Sequence, residues 1–424
     1  MKQILKNPLC LCLIFYWMGY LSLSFLGIEN KSLRIVSLGL IYLILIFFRT
    51  KHTKDPIYKN IILFCAFCFP SLFFADAPYA CIFKLFELCT MPVVILLGYQ
   101  HFKIDKKENV TDFLMKYYVF QTLFSLISYY VDPTTRAIDN GYGTYVTFLS
   151  CHYPPIHANS LGPFCAISAI YSFYKWHEKY FSKEIVKGIL WAIICCLSLY
   201  TMYLTSSRTG MIAWLNAMLF LVYRMFSIKK KIMYLIFAIA LLIPFYETIS
   251  DFATAVIMKK QNDELLSKSD NITDQMTSGR ISLWKRALSS PQACILGKGY
   301  GIATKAMSDK IGAANAHNSI VELLLNVGLP ATFCWIYLWF LLFKRYLLIC
   351  KFKSMLPYHV NYYHMAASIA LLSFVKSFGN VSFVYMQLDI WATLSVIILF
   401  IYTQGSIKNK LKKNQYKNNT SVTP

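Results

Sequence analysis

Apolar runs of roughly 15 to 22 residues recur along the whole chain. Each is close to the ~20 residues an α-helix needs to cross about 30 Å of hydrocarbon. Hydrophobic residues make up 57% of the sequence and charged residues only 15%, against about 25% charged in an ordinary soluble domain. So much apolar surface cannot be hidden in one core, and the bilayer has to serve as solvent. The runs predict an all-α polytopic membrane protein with about twelve spans, at 8–26, 33–48, 61–75, 79–98, 113–130, 160–174, 188–204, 211–226, 232–246, 325–343, 362–378 and 386–402. The expected organisation is nine spans in 1–246, a large partly helical outer loop in 247–324, three more spans in 325–402, and a basic tail in 403–424. The Lys/Asn-rich tail is expected to be disordered.

A net charge of +22 would suggest nucleic acid in a soluble protein. Here the lysines and arginines instead alternate between connecting segments. With the N-terminus inside, 26 of the 42 fall in cytoplasmic segments. Outside the large loop, the opposite face holds only Lys31, Arg34, Arg136 and Arg208. That asymmetry predicts cytoplasmic termini, and no nucleic-acid role is needed. The first apolar run follows Lys2 and Lys6 like a signal sequence, but it lacks a small-x-small cleavage site and is expected to stay as the first helix. Most cysteines lie inside apolar runs and read as small buried hydrophobes. Cys65 and Cys68 form a CxxC in mid-span, a poor place for a metal or redox site. Cys151 and Cys294 fall in outer segments, where pairing is open.

Polar groups stand out where their placement is expensive. Ser206-Ser207-Arg208-Thr209-Gly210 is wedged between two spans with no room for a loop. Its arginine can snorkel to headgroups or bind an anion, and its place on the arginine-poor outer face tilts toward the second. Gly279-Arg280 opens a helical stripe of Ile281, Trp284 and Leu288, with Leu283 off it, before Pro291. An arginine at a helix N-terminus opposes the macrodipole, so helix stability does not explain it. Gly297-Lys298-Gly299-Tyr300-Gly301 can be a phosphate-approaching loop or a turn. It has neither the preceding strand nor the following Ser/Thr that a nucleotide motif needs. His317 precedes a span, with Glu322 five residues on. A histidine titrates in the range useful to a general base, although a lone histidine is more often structural. Lys84 and Glu87, one turn apart within a span, read as a buried ion pair or cavity lining, and Lys376 near the outer end of its span can join an anion site. Paired acidic metal ligands beside the arginines are lacking, as are HExxH and GxSxG, so no metal and no cofactor are expected.

Taken in order, the SSRTG turn, the Gly-Arg-x-x-Leu-Trp-x-x-Ala helix with its following Pro and GxGxG, and His-Asn-Ser-x-x-Glu leading to Gly328-Leu329-Pro330 resemble the O-antigen ligase and polymerase superfamily over about residues 200–343. Where that family often has a second glycine, this chain has Pro330 and Ala331. The resemblance implies a metal-independent, inverting glycosyltransferase of the bacterial inner membrane. Its site would face the periplasm, and its donor would be an oligosaccharide on undecaprenyl diphosphate. Arg208 and Arg280 would bind the diphosphate and His317 would deprotonate the acceptor hydroxyl. Read from the residues themselves, Glu322 near His317, Lys298 in the glycine loop and Lys376 at its span's outer end are the candidate substrate-binding residues. The implied partners are the lipid-linked donor, a glycan acceptor, membrane lipid and a chain-length regulator protein. Polymerase is preferred to ligase on analogy. A lipid-linked glycan flippase or a non-catalytic anchor are the readings from other classes, and the lack of an internal repeat speaks against a transporter.

Overall fold

A computed structural model describes residues 6–18, 30–48, 53–104, 108–131, 151–152, 155–156, 158–205, 207–227, 280–289, 291–306, 316–380, 384 and 390–420. Several helices start where the sequence supplies a cap or a proline. α1 (Pro8–Met18) follows Asn7, whose side chain accepts from the Leu9 N–H at 3.0 Å. α2 spans Asn30–Phe47. α3 (Pro56–Cys68) is capped by Asp55, runs into a 3₁₀ turn at Phe69–Phe74, and is followed by α4 (Pro78–Gln100). Proline at the first helical position loses no hydrogen bond, because that N–H has no intrahelical partner. α5 (Val110–Val131), α6 (Ala158–Phe181), α7 (Ile185–Leu204) and α8 (Arg208–Met225) follow. A two-residue antiparallel pair, Cys151–His152 with Pro155–Ile156, precedes α6.

The described part of the large loop carries α9 (Arg280–Leu288), α10 (Pro291–Leu296) and α11 (Ala303–Ala306). The chain then enters α12 (Ser319–Lys351), α13 (Val360–Gly379) and α14 (Ile390–Thr420). Each expected span therefore overlaps a helix except 232–246, which lies outside the described residues, as does 247–279 of the loop. Five helical segments are long and apolar enough by length and composition to cross a membrane: Pro56–Phe74, Pro78–Gln100, Ile185–Leu204, Ser319–Lys351 and Ile390–Gln415. The all-α polytopic architecture stands, while the count of twelve is not reached by this criterion among the described residues.

Two expectations change. The tail is helical through Thr420 rather than disordered. A helix already nucleated by the packed Ile390–Phe400 stretch extends at the gain of one hydrogen bond per residue, without a new nucleus. On α9 the buried stripe runs through Leu283 and Ala287, and Leu288 is exposed. Leu283 and Ala287 pack on Ala316, Val321 and Leu325, so the position of α12 selects the buried face. Cys294 is a free thiol, and the side chain of Cys151 lies outside the described residues.

Outward faces carry bare apolar side chains, with Phe73 86% and Phe47 78% exposed, as a lipid-facing surface requires. Between helices, where apolar burial gives no preference over lipid, hydrogen bonds and close packing set the contacts. Asn60 Nδ2 donates to the Cys334 carbonyl at 2.8 Å, joining α3 to α12. Ser168 and Ser198 join α6 to α7 at 2.8 Å, and Ser373 and Thr393 join α13 to α14 at 2.7 Å. Arg345 near the end of α12 pairs with Asp55 at the start of α3 at 2.9 Å. The expected Lys84–Glu87 pair is present at 3.0 Å, and Arg34 also reaches Glu87.

Candidate active site

The site forms at one end of the helical body, where α8 and α12 begin and α13 ends. The last carbonyls of a helix have no intrahelical partner, and at the end of α13 three successive ones are taken by two of the three sequence motifs. Asn318 Nδ2 donates to the Phe378 carbonyl at 3.3 Å, and Ser319 Oγ to the Asn380 carbonyl at 3.4 Å. Between them, Arg280 Nη1 donates to the carbonyl of Gly379. This negative end of a helix dipole suits a guanidinium. A Cβ on Gly379 would stand 2.5 Å from Thr209 Cγ2 and 3.7 Å from Arg280 Nη1, so the residue here must be small. Arg208 is the neighbour of Thr209 and the first residue of α8.

The Ser207–Gly210 turn is tight for a local reason. Thr205 Oγ1 accepts from the Ser207 N–H at 3.3 Å, and Ser207 Oγ accepts from the Gly210 N–H at 3.4 Å, capping α8. A Cβ on Gly162 of α6 would lie 2.5 Å from Ser207 Cβ, and one on Gly210 would lie 3.1 Å from the Gly162 carbonyl carbon. The backbones of α6 and α8 thus meet directly, and that contact fixes where Arg208 begins. Arg208 and Arg280 are both half-buried. Burial, and then the positive charge of Arg208, lower the Arg280 guanidinium below its ordinary range. Two guanidiniums held within each other's field and partly out of water favour an anion between or beside them, which each can grip bidentately.

His317 lies directly before Asn318, the cap of α12, whose Oδ1 accepts from Ile320 N at 2.9 Å and Val321 N at 3.2 Å. Its φ is +50°, a left-handed conformation uncommon outside glycine and kept only where the surroundings over-determine it. Glu322 is 1% exposed. Its carboxylate accepts from Thr304 Oγ1 at 2.7 Å, the Ala316 N–H at 2.8 Å and Asn326 Nδ2 at 3.1 Å. Lys376 is 2% exposed and sits in the last turn of α13, at the same end as the arginines.

Lys298 belongs to a loop whose amides are already engaged. α12 is broken at Gly328 (φ 78°, ψ −175°), and Pro330 has no N–H to return to Asn326. The freed carbonyls of Leu325 and Asn326 accept from Lys298 N at 2.8 Å and Gly299 N at 3.0 Å. Tyr300 N donates to Ser71 Oγ at 3.1 Å, and Ala303 N to Asn326 Oδ1 at 3.1 Å. The glycine loop is a docking turn, and its N–H groups do not form a phosphate cradle. Lys298 is half-buried, and its ammonium makes no ion pair among the described residues. The structure thus gathers Arg208, Arg280, His317 and Lys376 at one end of the helices. It places Glu322 inside the wall beneath them and Lys298 in the loop behind the kink.

Sequence reasoning did not single out Gly379, Asn380 or Gly162. Gly-Asn at the end of an apolar run with a lysine in its last turn is a helix-stop pattern and marks the first pair. Nothing local marks Gly162, whose role is a contact with a helix that begins 46 residues later. Among the described residues no group of three or more His, Cys, Asp or Glu could hold a metal.

Residues 165–336 match the model of a family described as O-antigen ligase. A search of curated proteins returned no match. The matched stretch contains Arg208, Arg280, His317 and Glu322, while Lys376 and the end of α13 lie beyond it. The match spans less than half of the chain and makes this stretch similar to the O-antigen ligase family.

Proposed function

Taking that family match as the premise, we propose that the protein is a surface-polysaccharide (O-antigen) polymerase of the bacterial inner membrane. It would transfer a growing glycan from undecaprenyl diphosphate onto a lipid-linked repeat unit at the periplasmic face, with both termini cytoplasmic. The observation that carries this reading is the meeting of Arg208, Arg280 and the His317 segment at the carbonyl end of α13. Two cations are suited to the charge that develops on a leaving diphosphate, and preorganised charges in a partly water-excluded site act there strongly. His317 accepts the proton of the acceptor hydroxyl. The hydroxyl oxygen bonds to the anomeric carbon, and the bond from that carbon to the diphosphate oxygen breaks with its electron pair. The lipid diphosphate leaves held by the arginines, with inversion at the carbon. Lys376 adds positive charge at the same helix end, while Lys298, in the docking loop behind the kink, is not placed at the site. Charge neutralisation by arginine leaves no step that calls for a metal. A chain-length regulator protein is a further proposed partner.

The second reading is an O-antigen ligase with lipid A–core as acceptor, which the description of the matched family favours. Deletion followed by lipopolysaccharide gel analysis separates the two. Core bearing a single repeat is the polymerase result. Bare core with polymer retained on the lipid carrier is the ligase result, and unaltered banding refutes both. Arg208→Ala, Arg280→Ala and His317→Ala should each abolish transfer with the protein still present in the membrane. Activity retained by any of them removes that residue from the site.

A further inference from the structure

We infer that Trp284 and Glu322 are positioning residues for His317, acting through the backbone of Ala316. The inference rests on the reading of Arg208, Arg280 and His317 given above. Ala316 is fully buried, and both of its backbone groups are gripped by side chains. Its carbonyl accepts from Trp284 Nε1 at 2.8 Å, and its N–H donates to Glu322 Oε2 at 2.8 Å.

That carbonyl lies in the peptide plane leading into His317, so the indole sets the plane from which the His317 φ of +50° is measured. On the other side Asn318 is fixed by capping α12 and by donating to the Phe378 carbonyl. The histidine is therefore a one-residue left-handed turn clamped at both neighbours, and its side-chain direction follows from the clamp.

Trp284 lies one turn beyond Arg280 on the same helix, α9. A nine-residue helix thus holds the Gly379 carbonyl through its arginine and the Ala316 carbonyl through its tryptophan. It acts as a strut that sets the separation of the anion-binding cation from the base. Glu322, closed off from solvent and accepting from three donors, ties the same point to α11 through Thr304 and to α12 through Asn326. A carboxylate so enclosed does not touch a sugar; it holds the segment that carries the base. A misplacement of about 1 Å in a catalytic group can cost about a hundredfold in rate, which gives these remote bonds leverage on turnover.

The test uses the full chain in lipid nanodiscs and two variants, Trp284→Phe, which removes only the indole N–H, and Glu322→Gln, which keeps the shape. Three readouts are taken on each: polymer banding in a complemented deletion strain, inorganic pyrophosphate affinity, and the rate of diethyl pyrocarbonate modification at His317 relative to His359, the exposed residue that caps the start of α13. Transfer is expected to fall roughly tenfold to a hundredfold, with unchanged protein level and near-unchanged pyrophosphate affinity, while the relative reactivity of His317 rises severalfold. Glu322→Ala should be worse than Glu322→Gln. Wild-type transfer and His317 reactivity in both variants would overturn the inference. So would a fall in protein level with unchanged transfer per molecule, because that marks a purely structural role. Failure of pyrophosphate to bind the unmodified protein, or full activity in His317→Ala, would instead sink the underlying reading.

Discussion

Gly328→Ala tests the break in α12 on which the site is built. Its backbone, with φ 78° and ψ −175°, lies in a region open essentially to glycine alone, and a non-glycine residue there costs about 1–3 kcal/mol. An added Cβ would stand 2.2 Å from the Ile295 carbonyl oxygen, 2.7 Å from its carbon and 2.9 Å from the Leu296 carbonyl carbon. All three are backbone atoms, so relief requires α10 to move away from α12, and overpacking of this kind adds about 1–3 kcal/mol. Movement of α10 also strains the bonds from Lys298 N and Gly299 N to the carbonyls of Leu325 and Asn326, worth about 1 kcal/mol each. The expected destabilisation is about 2–8 kcal/mol, a large part of the roughly 5–15 kcal/mol by which folded domains are commonly stable. Gly39→Ala is the matched control. Gly39 lies within α2, and a Cβ added there would meet nothing within 4 Å, while alanine in a helix interior gains about 0.5–1 kcal/mol over glycine. Thermal unfolding of both variants in detergent, followed by intrinsic fluorescence, should show Gly328→Ala melting well below the parent protein and Gly39→Ala at or above it. Coincident melting of Gly328→Ala with the parent would refute the reasoning about the kink.

Inorganic pyrophosphate should raise the unfolding temperature of the parent protein, because an anion relieves the mutual repulsion that lowers Arg280 and any ligand of the folded state stabilises it. Arg208→Ala should abolish that shift, and persistence of the shift would move the anion site elsewhere. Gly162→Val should leave the protein in the membrane but suppress transfer, since its side chain must displace Ser207, whose Cβ would stand 2.5 Å from even the first added carbon; normal banding would refute the link between α6 and Arg208. Asn60→Ala should lower stability by about 1 kcal/mol through loss of the 2.8 Å bond to Cys334, read in the same unfolding assay. Hydrogen bonds from Lys179 and then Lys187 hold the exposed Glu184 carboxylate down to about 2. A folded-state value below the unfolded one stabilises above the unfolded value, near about 4.3, and this contribution is lost as pH falls toward 2. Glu184→Gln should therefore flatten the dependence of unfolding temperature on pH in that window, and an unchanged slope would remove the ion pairs as its cause.

The sequence alone determined the solvent, the helical class and the identity of the polar groups worth watching. Apolar run length is a one-dimensional property, and a bilayer imposes helices on any such run because backbone groups must bond within the segment. The same logic exposed Arg208 between α7 and α8, and the order of the motifs carried the family resemblance. The faces, the kink and the contacts were decided only in three dimensions. Leu283 rather than Leu288 is buried because α9 meets Ala316, Val321 and Leu325 on that side. The glycine loop is a docking turn because Gly328 and Pro330, some thirty residues further on, free the carbonyls it binds. Glu322 was placed near substrate by its distance along the chain, yet its carboxylate points into Thr304, Ala316 and Asn326. The end of α13 gathers Arg280, Asn318 and Ser319 because unsatisfied helix carbonyls must find donors, and which donors arrive is a matter of helix packing that no local pattern records.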